Sequence, residues 1–210
     1  MIRFTMLVIL GLVFLRFGAS NLTAMSDPFL NEKVIAVQKL HDQSASGDKG
    51  ATDLLITTLE TLLSQEPGNA IYKVYLGSAW TLKSRDVLPG PSKLRYLKDG
   101  LKTMDQAVSQ TPQDPCVRFI RAVNNYHLPA FINRRDNARE DFEILIKQIQ
   151  TNPSGLDGRT IQAIHYFAGL AYKQTARPEM AREVWRRGVA LRSDAALTEK
   201  MNRELARLDS

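Results

Sequence analysis

Two hundred and ten residues, 44% hydrophobic and 24% charged, suit one globular domain or a short helical array; they exclude a wholly disordered chain and one embedded throughout in membrane. The formal net charge is +6, and setting aside Arg3 and Arg16 near the N-terminus leaves 26 of the 28 basic residues against 22 acids, a mildly basic +4. Bases alternate with acids along Arg134-Arg135-Asp136, Arg139-Glu140-Asp141 and Arg182-Glu183, as on a solvated helix face, so nucleic acid is not an expected partner.

The first 24 residues read as an address. Arg3 precedes an apolar run over 4–15, and small residues follow at Gly18, Ala19, Ser20 and Ala24, the layout of a secretory signal peptide. Twelve helical residues reach roughly 18 Å, short of a bilayer core, and Arg16 ends the run. Cleavage after Ser20 or Ala24 fits, and the chain is then exported, in a bacterium to the periplasm. A retained membrane anchor is the second reading. No cysteine stands near this site, which excludes lipoprotein processing.

Beyond residue 27 no stretch shows strand alternation, while apolar residues recur at helical spacing. Leu54, Leu55, Leu59, Leu62 and Leu63 form one stripe; Leu97, Leu101, Met104 and Val108 form another; Phe142, Leu145, Ile146 and Ile149 a third. Breaks at Pro67-Gly68-Asn69, Pro112 to Pro115 and Asn152-Pro153 end one helix and start the next. The pattern predicts helices over 29–45, 50–65, 69–85, 92–110, 115–133, 136–151, 158–174, 178–192 and 195–208. Cys116 is the single cysteine, read as a small buried apolar residue. His41, His127 and His165 lack metal-ligand spacing, and neither a phosphate loop nor a nucleophile elbow occurs. No cofactor, metal or enzymatic role is therefore expected. Asp141 and Glu143, set among arginines, read as surface pairs.

The breaks recur at intervals of 45 and 41 residues, each interval holding two helices. Gly169, Tyr172, Ala181, Trp185 and Gly188 stand at successive offsets of 3, 9, 4 and 3. Together they resemble the tetratricopeptide motif, in which small residues let two antiparallel helices approach and aromatics fill the gap to the neighbouring hairpin. Gly77 and Trp80 match the first helix of an earlier unit, and Gly100, Met104, Ala107 and Pro112 match its second helix. Gly100 comes eleven residues late, and a loop insertion near 87–91 would absorb the excess. The resemblance covers about 69–193, with a degenerate helical pair over 25–68 and a capping helix over 194–210 started by Asp194.

The resemblance implies an all-α, right-handed solenoid of antiparallel helix pairs that binds a protein or peptide in a concave groove. By the family's offsets the groove falls on Val74, Ser78 and Thr81, then Phe119, Val123, Tyr126 and His127, then Tyr166, Leu170, Lys173 and Gln174. Val74 and Ser78 stand where a carboxylate clamp would need Lys and Asn, which disfavours capture of an acidic chain end. An apolar helix or extended peptide suits the aromatics; equally, these side chains pack against one another. Lys83, Arg85, Lys93, Arg95, Lys98 and Lys102 surround the insertion, as a solvated face or as a contact with anionic headgroups or an acidic partner.

Overall fold

Carboxylate and amide side chains start the helices. Asp48, Asn69, Asp114, Asp157 and Asp194 each accept a hydrogen bond from a backbone N–H two or three residues on, at 2.8–3.1 Å. Pro91, Pro115 and Pro178 occupy first-turn positions, where the missing N–H costs nothing. The computed structural model describes residues 28–152 and 156–209; the N-terminal address and the Pro153 break lie outside them. Among the described residues nine α-helices follow in order: α1 (Pro28–Ala45), α2 (Lys49–Gln65), α3 (Ala70–Asp86), α4 (Pro91–Gln110), α5 (Pro115–His127), α6 (Arg135–Thr151), α7 (Gly158–Gln174), α8 (Pro178–Leu191) and α9 (Ala195–Leu208). No strand occurs among them.

The helix expected over 115–133 stops at His127. Pro129 cannot donate, and Leu128 before it takes an extended ψ of 144°, so only a 3-10 turn over Ala130–Ile132 follows. The eleven extra residues of the second hairpin do not make a loop. Residues 87–90 alone join α3 to α4, with Gly90 at φ 155°, and the excess falls mainly in the portions of the two helices beyond the Gly77–Gly100 crossing. From Gly77, α3 runs on to Asp86, about 13 Å, whereas α7 ends about 8 Å past Gly169.

Consecutive helices pair antiparallel, and the first helices also touch in series, α1 on α3, α3 on α5, α5 on α7 and α7 on α9. That is the contact pattern of a solenoid, and α9 closes it with Leu197 and Met201 fully buried. Small residues govern the crossings. A Cβ on Gly77 would stand 2.7 Å from the Gly100 carbonyl oxygen, and one on Gly100 2.6 Å from that of Gly77, so α3 and α4 meet backbone to backbone. Ala107 and Ala181 are fully buried at the matching second-helix positions. Trp80 is half-buried against the core of the first hairpin, and Gly188 lies under Met201. Trp185 corrects one expectation, since its indole lies over Gly169 of its own hairpin and donates to Tyr166 O at 2.9 Å. Tyr172, also buried, belongs to the same core cluster as Ala138 and Phe142 of the preceding hairpin.

Asp141 is the larger correction. It is 1% exposed, not a surface acid. Arg118 donates to it at 2.8 Å and Arg121 at 2.7 and 2.9 Å, and Arg121 with Arg134 also reaches Asp105 of α4. Two helices brought together desolvate these charges, and bidentate guanidinium bonds replace the lost water. The clasp joins α4, α5 and α6 at the middle of the stack.

Candidate functional site

The first helices carry the face on which the repeat offsets place a partner. Its N-terminal part is closed. Val74 is fully buried between α4 and α5, beside Met104 and Val117. Ser78 and Thr81 are 3% and 6% exposed. Ser78 Oγ lies 2.8 Å from His41 Nε2 of α1 and donates to Asn124 Oδ1 of α5 at 3.3 Å; Thr81 Oγ1 lies 2.6 Å from that same oxygen. Burial pulls His41 down to about 4, so its imidazole is neutral at pH 7 and fits a hydroxyl partner. These three positions, expected to meet a partner, instead hold helices together, Val74 by packing and Ser78 and Thr81 by hydrogen bonds. Phe119 is likewise interior, with ring centroids 6.4 Å from Phe142 and 6.2 Å from Phe167. Short side chains at 78 and 81 let α1 and α5 come close enough to seal this part.

The remaining positions come together along α5 and α7. Val123, Tyr126, Tyr166 and Leu170 are half-buried against the largest core cluster, and His127 is half-buried beside Tyr126. Their rings gather around Phe167, with centroids at 6.1 Å for Tyr126, 5.9 Å for His127 and 5.2 Å for Tyr166. Edge-to-face angles of 66–79° place ring edges against ring faces. Lys173 and Gln174 end α7, the first exposed and the second half-buried. Lys173 Nζ reaches Glu204 of α9 at 2.7 Å, and Lys200 of α9 stands 5.8 Å over the Tyr166 ring. Phe167, Lys200 and Glu204 escape the sequence reading. The aromatic triplet His165-Tyr166-Phe167 is a signal for the first, but the sequence gives α9 a capping role alone.

The electrostatics of this surface favour neutral rings. Burial pushes Tyr126 up to about 12, helped by Tyr166 and Glu204, and pulls His127 down to about 4. Burial first, then Asp114 and Asp157, push the half-buried Cys116 thiol to about 12, so no thiolate is available at neutral pH. Among the described residues no group of three or more His, Cys, Asp or Glu could hold a metal, and no helix is long and apolar enough to cross a membrane.

Solved structures share the fold. The thermophilic TPR protein TTC0263 of Thermus thermophilus superposes with a TM-score of 0.60 at 14% identity, over 81% of each chain. A mutant of MamA gives 0.50 at 16% identity, over 84% of this chain and 86% of its own. At such identities the likeness is one of fold. No protein-family model matches the sequence, and no curated relative does.

Proposed function

We propose that this chain, a helical solenoid of tetratricopeptide type, is a scaffold that holds a segment of another protein on the surface formed by α5, α7 and α9. One observation carries the reading: Tyr126, His127 and Tyr166 stand half-buried around Phe167, edged by Leu170 and by the Lys173–Glu204 pair. Rigid aromatic rings offer large contact area at little entropic cost, with polar groups beside them to fix orientation. An apolar helix or extended segment with a few polar groups complements such a surface; a strongly charged chain end does not. The scaffold works outside the cytoplasm, in a bacterium in the periplasm, and what supports this is the basic, apolar, small-residue order of residues 1–24.

Capture with the wild-type chain and with a Tyr126→Ala/Tyr166→Ala variant tests the binding surface, once thermal melting has shown that the variant folds. A polypeptide retained by the wild type and lost from the variant is expected. Equal retention by both removes this surface from the reading. The mass of the mature chain tests the location: loss of the first 20 or 24 residues supports export, and an intact N-terminus favours the anchored form.

A further inference from the structure

Among the described residues the three most exposed large apolar side chains are Leu88 at 87%, Phe131 at 78% and Leu94 at 69%. All three lie in or beside the turns between the first and second helix of adjacent hairpins, which face one edge of the stack. Leu88 lies in the turn joining α3 to α4 and Leu94 in the first turn of α4, beyond the Gly77–Gly100 crossing. Leu97 and Leu101 continue the row down α4 and, with Lys98, Lys102 and Arg134, line an open cleft of about 1100 Å³.

The cations around this tip divide into two groups. Lys83 pairs with Asp53, Arg85 binds Asp86 and the Ser44 and Ala45 carbonyls, and Lys93 donates to Ser84 O. The first two tie the hairpin to the preceding one, and the third joins its own two helices. Arg95, Lys98 and Lys102 make no ion pair among the described residues, and Arg95 lies 5.5 Å from the Tyr96 ring centroid. Asp105, the one acid among the described residues of the cleft, is taken by Arg121 and Arg134.

We propose that this edge rests on a membrane surface carrying anionic headgroups, with Leu88 and Leu94 entering the interface and Arg95, Lys98 and Lys102 meeting the phosphates. Leucines at the outermost points, with long cationic stems beside and behind them, match the layered chemistry of a bilayer interface. An acidic helix from a protein would take its place in the cleft lined by Leu94, Leu97 and Leu101. Leu88 and Phe131, the two most exposed large apolar side chains among the described residues, instead protrude outside that cleft with no wall beside them. The edge shares no residue with the aromatic surface on α5 and α7, so the two can be engaged together.

The test uses the full chain with Cys116→Ser and one environment-sensitive dye, attached either through Leu88→Cys or, at the opposite edge, through Leu191→Cys. Vesicles of phosphatidylglycerol and phosphatidylcholine should shift emission of the Leu88 label to shorter wavelength. Phosphatidylcholine alone should not, and the Leu191 label should stay unchanged. Lys98→Glu with Lys102→Glu should abolish the shift. The proposal is overturned by no shift at Leu88, by an equal shift at Leu191, or by a shift that survives the charge reversals. It is also overturned if the label responds to an acidic amphipathic leucine–glutamate peptide and not to the vesicles, which would make the edge a protein site. None of these outcomes bears on the Tyr126 and Tyr166 variants.

Discussion

Where α1, α3 and α5 meet, hydroxyl, amide and imidazole groups bond to one another and withdraw from the surface. Where α5, α7 and α9 meet, two tyrosines and an imidazole stay half-exposed around a buried phenylalanine. Both regions use first helices stacked in the same way, and side-chain size separates them. Ser78 and Thr81 are short enough for His41 and Asn124 to reach them, whereas Tyr126 and Tyr166 hold the next helix at ring distance. A repeat position does not by itself decide whether a residue meets a partner. The neighbour that can reach it does.

The largest loss is expected at the seam between the regions. Asp141→Ala leaves Arg118 buried without its anion and removes two of the three bonds of Arg121, sparing the one to Asp105, a loss of about 3–5 kcal/mol. Urea unfolding should show a much lower midpoint; a near-wild-type midpoint would mean that the clasp does not join the two regions. Gly169→Ala strikes the foundation of the aromatic region alone, because its Cβ would lie 2.1 Å from the Trp185 indole nitrogen. A cost of about 3 kcal/mol is expected, at the upper end of overpacking. Gly68→Ala, with nothing within 4 Å, is the control that should change little.

Acid should weaken both regions. His41, His127 and His165 are each pulled to about 4, in every case first by burial. Unfolded histidine takes up a proton near 6.5, so between pH 6.5 and 4 the unfolded state binds more protons and stability falls as pH falls. The loss is on the order of 1–2 kcal/mol per histidine at pH 5. Asp42, raised to about 6 by burial, works in the opposite direction over part of this range and offsets some of it. Urea midpoints at pH 7 and pH 5 check the net sign, which should be destabilising at pH 5. His41→Gln should remove the share belonging to the sealed region. The smallest effect is expected from Asp194→Ala, which removes the α9 cap at about 1 kcal/mol and loosens the rim that carries Lys200 and Glu204. Hydrogen exchange in α9 should rise while that in α1 stays put.

Local chemistry was legible in the sequence. Helix starts follow from Asp, Asn and Pro at fixed places, and the crossings from Gly77, Gly100 and Gly169, because each of these depends on residues nearby in the chain or on one repeated offset. Burial that depends on a neighbour's approach was not legible. Asp141 among arginines reads as a solvated charge until α5 brings Arg118 and Arg121 onto it, although two arginines three apart within the apolar run 116–123 were a hint. Val74 and Ser78 fell on groove offsets, yet packing by α1, α4 and α5 turned them inward. The length of α3 and α4 was likewise hidden, since a late Gly100 fits either a loop or two longer helices.

A photo-reactive benzoylphenylalanine placed at Leu170, and separately at the exposed Leu54 of α2, reports which face of the stack a partner touches in the organism that makes this chain. Binding through the α5–α7 surface gives a covalent adduct with a discrete polypeptide at position 170 and none at 54, diminished when Tyr126 and Tyr166 are replaced by alanine. Adducts equal at both positions, or none at 170, would contradict it.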